Sequence, residues 1–145
     1  LDNEVLPAFE NVVKPLTTRR RILFACRENA CRSQMAAAFA RYLGGDQIDA
    51  MSAGSEPAEK VNPLMQAVMA DKGIDLAFAR TRLLDDAIAA HRPEMIVTMG
   101  CGEACPVIPG VNIEDWDLPD PAGQADSIMT DVRDEIETRV KKLIN

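Results

Sequence analysis

The stretch RILFACRENACRSQMAAAFARY, residues 21–42, decides how this chain folds. An apolar run, Ile22 to Ala25, leads into Cys26; five residues intervene before Arg32-Ser33, and a segment rich in Ala, Met and Phe follows. The first run has the length of a buried strand, and the Ala-rich segment has the length of a helix. The order is therefore strand, loop and helix, with Cys26 where the strand enters the loop. Such a loop suits an anion, because its backbone N–H groups and the positive end of the following helix converge.

Outward from this unit, strands and helices alternate. Strand 22–26 and helix 32–43 end at Gly44-Gly45, and a strand at 48–52 leads to the loop SAGSEPAEKVNP. Asn62-Pro63 opens an amphipathic helix that ends near Gly73, with Leu64, Ala67 and Val68 at helical spacing. A third helix covers 85–91, Pro93 breaks it, and Met95 to Met99 form a short buried strand. A loop of Gly, Cys and Pro from Gly100 to Gly110 precedes a strand at 111–115. After WDLPDPAG, residues 126–143 form a long helix with Ile128, Val132, Ile136, Val140 and Leu143 on one face. This alternation predicts an α/β fold, an open and mostly parallel four-stranded sheet with helices on both faces. Ligands of such sheets sit beyond the carboxyl ends of the strands. Cys26 and Cys101 both lie there, so both thiols are expected at one edge.

Composition narrows the classes. A chain of 145 residues with 47% hydrophobic content supports one buried core. Residues 21–145 are read as that domain, and residues 1–20 as an N-terminal extension or arm, or the end of a preceding domain. The first residue is Leu rather than Met, which suggests a trimmed or longer polypeptide. Sixteen basic against 23 acidic residues give a net charge of −7, which disfavours a general nucleic-acid-binding role. No apolar run approaches the roughly 18 to 20 residues of a membrane span, and no basic-then-apolar leader is present. The expectation is a cytoplasmic protein with no membrane partner. Four cysteines in that setting point to catalytic or redox thiols, or a metal site, rather than a secreted disulfide framework.

The Cys26 loop supplies what a nucleophilic thiol requires. The thiolate is the reactive form, and positive potential favours it. Arg27, Glu28, Asn29, Ala30, Cys31, Arg32 and Ser33 provide the oxyanion-binding backbone, and Arg32 adds a planar fork that fits a tetrahedral oxyanion. Asn29 is expected to hold a strained turn, and Ser33 to donate to the Cys26 sulfur. A proton donor for the leaving oxygen is also needed. Asp120-Pro121 is either turn chemistry or that general acid, and the presence of the Cys26 loop favours the acid. A zinc site built from the cysteines is disfavoured, since C-x4-C and C-x3-C are poor zinc spacings, and no metal is expected.

CRENACRSQMA, SAG, VNP, VTMGCGEACP and EDWDLPDPAG together resemble the arsenate reductases built on the low-molecular-weight protein tyrosine phosphatase scaffold, of the thioredoxin-coupled kind. The resemblance covers about Arg21 to Leu143. Gln34 matches the reductases, where the phosphatases usually have Pro. Ala122 and Gly123 stand where phosphatases place cleft-forming tyrosines, which argues against phosphotyrosine. The resemblance implies a relay: Cys26 attacks arsenate, Asp120 protonates the departing hydroxyl, and Cys101 attacks Cys26 to release arsenite. Cys105 then attacks Cys101, and thioredoxin reduces the Cys101–Cys105 disulfide. It implies no bound cofactor, thioredoxin as external reductant, and phosphate or sulfate as mimics of arsenate. The alternatives are a low-molecular-weight phosphatase and an arsenic- or redox-sensing thiol module.

Several positions carry separate expectations. Glu28 stands where many members have Gly, placing a carboxylate in an anion loop unless it points to solvent or pairs with Arg27. Ala37 and Arg82 occupy positions matched to a monovalent-cation site of some members, so no such site is expected. Cys31 is given a structural or tuning role, and a protective disulfide with Cys26 is permitted by its nearness. His91 reads as a surface or capping residue, Trp116 as packing, and Met65, Met69, Met95 and Met99 as core.

Overall fold

The computed structural model describes residues 19–101 and 107–145. Most of the N-terminal extension, and Cys105 with its neighbours Gly102 and Pro106, lie outside the described residues. The elements in order are β1 (Arg20–Cys26), α1 (Arg32–Gly44), β2 (Ile48–Gly54), α2 (Pro63–Ala70), α3 (Leu84–Ala90), β3 (Met95–Met99), β4 (Asn112–Asp115) and α4 (Asp126–Ile144). A short 3-10 turn, Gly45–Gln47, joins α1 to β2. The sheet order is β2-β1-β3-β4, with every pair parallel. The expected open sheet with helices on both faces is what forms.

β1 is central, and its register fixes the site. Cys26 pairs with Gly54 on one side and Met99 on the other, so three strands end level. Ala53 and Gly54, beyond the strand read from sequence, therefore belong to β2, because the pairing with β1 persists to its last residue. Side chains alternate between faces along a strand. Ile22, Phe24 and Cys26 join the core beneath α1 and α4, whereas Leu23 and Ala25 join a second cluster with Leu84 and Ala87 of α3.

α1 is buried from Arg32 to Ala40, and its run of alanines lets it lie close against the sheet while Met35 and Phe39 fill the layer. Gly45 closes the helix with φ 56° and an N–H bond to the Arg41 carbonyl. Asn62 caps α2 by accepting from the Leu64 and Met65 amides, with Pro63 in the first turn. α4 buries Met129, Val132, Ile136 and Val140, and the expected Ile128 and Leu143 pack against the same core partly buried. Full burial of each such side chain contributes about 1.5–3 kcal/mol. Met65, Met69 and Met99 are buried and Met95 is half-buried. His91 follows α3; its Nε2 lies 2.8 Å from Asp49 Oδ2 without the alignment of a hydrogen bond. Among the described residues, no helix is long and apolar enough to cross a membrane.

Candidate active site

The loop after β1 is held from outside by its own carbonyls. Those of Cys26, Arg27, Glu28 and Ala30 accept from the amides of Ser55, Glu56, Ala58 and Asn62 at 3.3, 2.8, 2.9 and 3.1 Å. The segment 55–62 thus runs along the loop as a brace. Across a trans peptide the amide opposes the preceding carbonyl, so with those carbonyls turned outward the amides of Arg27, Glu28, Asn29 and Cys31 turn the other way, and none of them donates to another described residue. That is the convergent donor arrangement of an anion cradle. The first turn of α1 adds to it, since it has no side-chain cap and no acidic residue.

Inside the loop, Asn29 is the keystone. Its φ of 55° is the left-handed conformation that Asn tolerates better than other side chains. Its Nδ2 donates to Ser33 Oγ at 2.7 Å, while its Oδ1 accepts from the Arg82 amide at 2.9 Å and from Gln34 Nε2 at 3.3 Å. Ser33 Oγ lies 2.9 Å from Cys26 Sγ. An ionised sulfur has no proton to give, so in that state the hydroxyl donates. Gln34 Nε2 also donates to the carbonyls of Asn29 and Arg80 at 3.1 and 2.9 Å, joining the loop to residues 80–82. From sequence Gln34 was only a family marker, and Arg82 a position matched to a cation site. Their part in bracing the loop depends on contacts 46 and 53 residues distant in the chain.

Two glycines admit this geometry. A Cβ on Gly54 would lie 2.6 Å from the Arg27 carbonyl oxygen and 2.9 Å from the Asn29 amide nitrogen. Gly100, at φ +88°, leaves room for the Arg32 guanidinium, whose Nη1 a Cβ would approach to 2.6 Å. The SAG and MGC motifs held that signal, as glycines at the ends of strands that border the loop.

Arg32 is nearly buried and donates from Nη1 to the Leu118 carbonyl at 3.0 Å, with Nη2 3.9 Å from Asp120 Oδ2. Leu118 went unnoticed in the sequence, because a carbonyl acceptor leaves no mark on residue type. The segment that carries Asp120 is anchored by Trp116, which is 4% exposed and packs against Phe24 with ring centroids 5.9 Å apart. Asp120 Oδ1 accepts from the Ala122 amide at 3.0 Å, and its carbonyl accepts from Gln124 Nε2. The carboxylate is half exposed and lines a small pocket together with Cys26, Glu28, Ala30, Cys31 and Arg32. The turn chemistry of Asp-Pro and a position over the pocket are thus both present.

The remaining residues divide. Arg27 is exposed and pairs with Glu56, Nη2 to Oε2 at 3.2 Å, rather than with Glu28. The reason is the brace: the Glu56 amide bonds the Arg27 carbonyl and brings that side chain alongside. Glu28 is exposed and on the pocket wall. Cys26 and Cys31 are buried free thiols. The Cys31 thiol is pushed up to about 12, first by burial, then by the charges of Asp120 and Cys26, with Glu28 adding and Arg32 opposing. Cys101 is buried two residues beyond β3 and is disulfide-bonded. It sits at the same sheet edge as Cys26 but in the α3-side cluster. A larger open cleft, lined by Glu114, Asp115, Trp116, Arg139, Lys142 and Leu143, shares no described residue with the Cys26 pocket.

The fold and this geometry define an α/β protein with a cysteine at the base of an oxyanion-binding loop. The chain belongs to the low molecular weight phosphotyrosine protein phosphatase family, whose profile matches residues 21–145. It is 38% identical over 127 residues to an arsenate reductase of Staphylococcus epidermidis, covering 85% of this chain and 95% of that one. It is 35% identical to a glutaredoxin arsenate reductase of Synechocystis, covering 86% of this chain and 96% of that one. Among solved structures, a thioredoxin-dependent arsenate reductase of Corynebacterium glutamicum superposes with a TM-score of 0.75 at 31% identity. That match takes in 97% of this chain, which spans 66% of the length of the Corynebacterium protein.

Proposed function

We propose that this chain reduces arsenate to arsenite through a relay of three cysteines, Cys26, Cys101 and Cys105, with thioredoxin as the external reductant and no bound cofactor. The observation that carries this reading is the pairing of a braced oxyanion loop around Cys26 with a further cysteine, Cys101, just past the adjacent strand β3. Ester hydrolysis needs one thiolate, since water can discharge the covalent intermediate. Taking As(V) to As(III) needs two electrons, which a thiol pair supplies by becoming a disulfide.

In the proposed sequence, the Cys26 thiolate forms an S–As bond, and the departing hydroxide leaves as water with a proton from Asp120. The loop amides and Arg32 hold the other oxygens. The Cys101 thiolate then attacks the Cys26 sulfur; the S–As bond breaks and its electron pair stays on arsenic, giving arsenite and a Cys26–Cys101 disulfide. Cys105 attacks Cys101, freeing Cys26, and a dithiol reductant reduces the Cys101–Cys105 disulfide. The raised Cys31 thiol keeps its proton near neutrality, which supports leaving it out of the relay. Residues Ala122 and Gly123 after Asp120-Pro121 leave no aromatic wall for an aryl ester.

The test is arsenate-dependent NADPH oxidation with thioredoxin and thioredoxin reductase, comparing the wild type with Cys105→Ser. The wild type is expected to turn over and Cys105→Ser to stop after one equivalent. Rapid cleavage of an aryl phosphate with no arsenate turnover overturns the reading in favour of a phosphatase. Stoichiometric arsenite capture without flux points to a sensor. A parallel arm with glutaredoxin and glutathione identifies the reductant.

A further inference from the structure

We propose that Glu28 selects the bound oxyanion by its proton: the carboxylate accepts a hydrogen bond from an anion hydroxyl, so the pocket prefers arsenate and phosphate to sulfate, which the family resemblance alone admits as an equal mimic. This rests on the reading of the Cys26 pocket as the arsenate site.

Glu28 is one of six described residues that line the pocket. The bond from the Ala58 amide to its carbonyl, at 2.9 Å, pins its backbone in the brace. Its neighbour Arg27 is committed to Glu56 and does not line the pocket, and Glu28 has no ion pair among the described residues. Its charge adds to the upward push on the thiol of Cys31, another residue of the lining.

The charge of the lining follows. Among the described residues Arg32 is its one cation, and that guanidinium is already engaged by the Leu118 carbonyl and flanked by Asp120. Asp120 brings the proton it donates, whereas Glu28 and an ionised Cys26 are negative, so a fully ionised guest meets more negative than positive charge among the described lining residues. A guest that brings a hydroxyl converts the contact with Glu28 from repulsion into a charge-assisted hydrogen bond. Arsenate and phosphate each keep at least one hydroxyl at neutral pH, whereas sulfate keeps none. A site built to hydrogen-bond a hydroxyl rejects the isostere that lacks it, because its acceptor is left unmatched. The exposure of Glu28 moderates this effect relative to a fully buried acceptor.

Titration calorimetry on the full, reduced chain tests the proposal with inorganic phosphate and sulfate as probes, in the wild type, Glu28→Gln and Glu56→Gln. The wild type is expected to prefer phosphate by about tenfold or more, and Glu28→Gln to bring the two anions within about threefold, mainly by gaining sulfate affinity. Glu56→Gln, which removes the same charge from a neighbouring carboxylate outside the lining, is expected to keep the wild-type ratio. An unchanged ratio in Glu28→Gln, or an equal shift in Glu56→Gln, overturns the role of Glu28. So does a wild type that binds no phosphate. Arsenate turnover measured on the same proteins separates the two claims. Turnover without anion discrimination removes Glu28 and leaves the reductase reading, and discrimination without turnover does the reverse.

Discussion

β1 and β3 lie side by side, and each runs into a cysteine, yet the two ends are held by different forces. Beyond β1, the loop around Cys26 is tied by four backbone bonds from residues 55–62, by the Asn29 contacts and by Gln34. Beyond β3, Cys101 packs among Leu23, Ala25, Leu84, Ala87 and Ile96, on the other face of the sheet, and is tied by a disulfide. Hydrogen bonds fix direction, whereas apolar contact fixes only proximity. The difference teaches how the labour is divided: the oxyanion end is preorganised by hydrogen bonds, and in the proposed relay Cys101 acts only once its disulfide is reduced and it leaves its apolar seat to reach Cys26. The two ends touch at Gly100, where the chain passes over Arg32.

The sharpest way to break this contrast is to loosen the braced end. Gly54→Ala sets a Cβ against loop backbone, which has no flexible side chain to yield. It is expected to cost about 3 kcal/mol of stability and to abolish phosphate binding, read by urea unfolding and calorimetry. Retained binding at wild-type stability means the loop is not held against β2 as described.

A smaller effect is expected at the seam. Gly100→Ala meets a guanidinium that can shift, but the left-handed backbone remains unfavourable to Ala. The expected loss is about 2 kcal/mol, with phosphate affinity falling about tenfold as Arg32 is displaced. If affinity holds while stability falls, Arg32 does not depend on the β3 end for its position.

The effect that is smallest near neutral pH, and grows only in alkaline solution, sharpens the contrast inside the loop itself, between Cys26 and Cys31. The Cys31 thiol rises from an ordinary 9.0 to about 12 on folding. The folded state therefore binds more protons than the unfolded state between those values. The protonated thiol's stabilising contribution is complete below about pH 9 and is lost as pH climbs toward 12, by at most about 1.4 kcal/mol per pH unit. Urea unfolding across the alkaline range should fall more steeply in the wild type than in Cys31→Ala. Equal slopes would mean that Cys31 titrates alike in both states.

Much of the braced end was legible in the sequence. An apolar run, a cysteine, a loop and an Ala-rich helix are local features, and Asn29 and Ser33 act within a few residues of Cys26. What escaped notice acts across the chain: Gln34 on Arg80, Arg82 on Asn29, Arg32 on Leu118, and Arg27 on Glu56 instead of Glu28. Residue type does not announce a backbone carbonyl as a partner, and a charged side chain beside another in sequence need not face it. The reach of β2 to Gly54 was missed for a related reason, since strand length was settled by pairing with β1.

By itself, the sequence determined the alternation of strands and helices and the strand–loop–helix unit at Cys26, because apolar periodicity and glycine stops act over a few residues. Only the tertiary structure decided that Cys26 and Cys101 lie on opposite faces of one sheet edge, that Asp120 meets Arg32, and that Glu28 lines the pocket. Those outcomes depend on the register of parallel strands and the course of distant loops, which become fixed only when the layers pack.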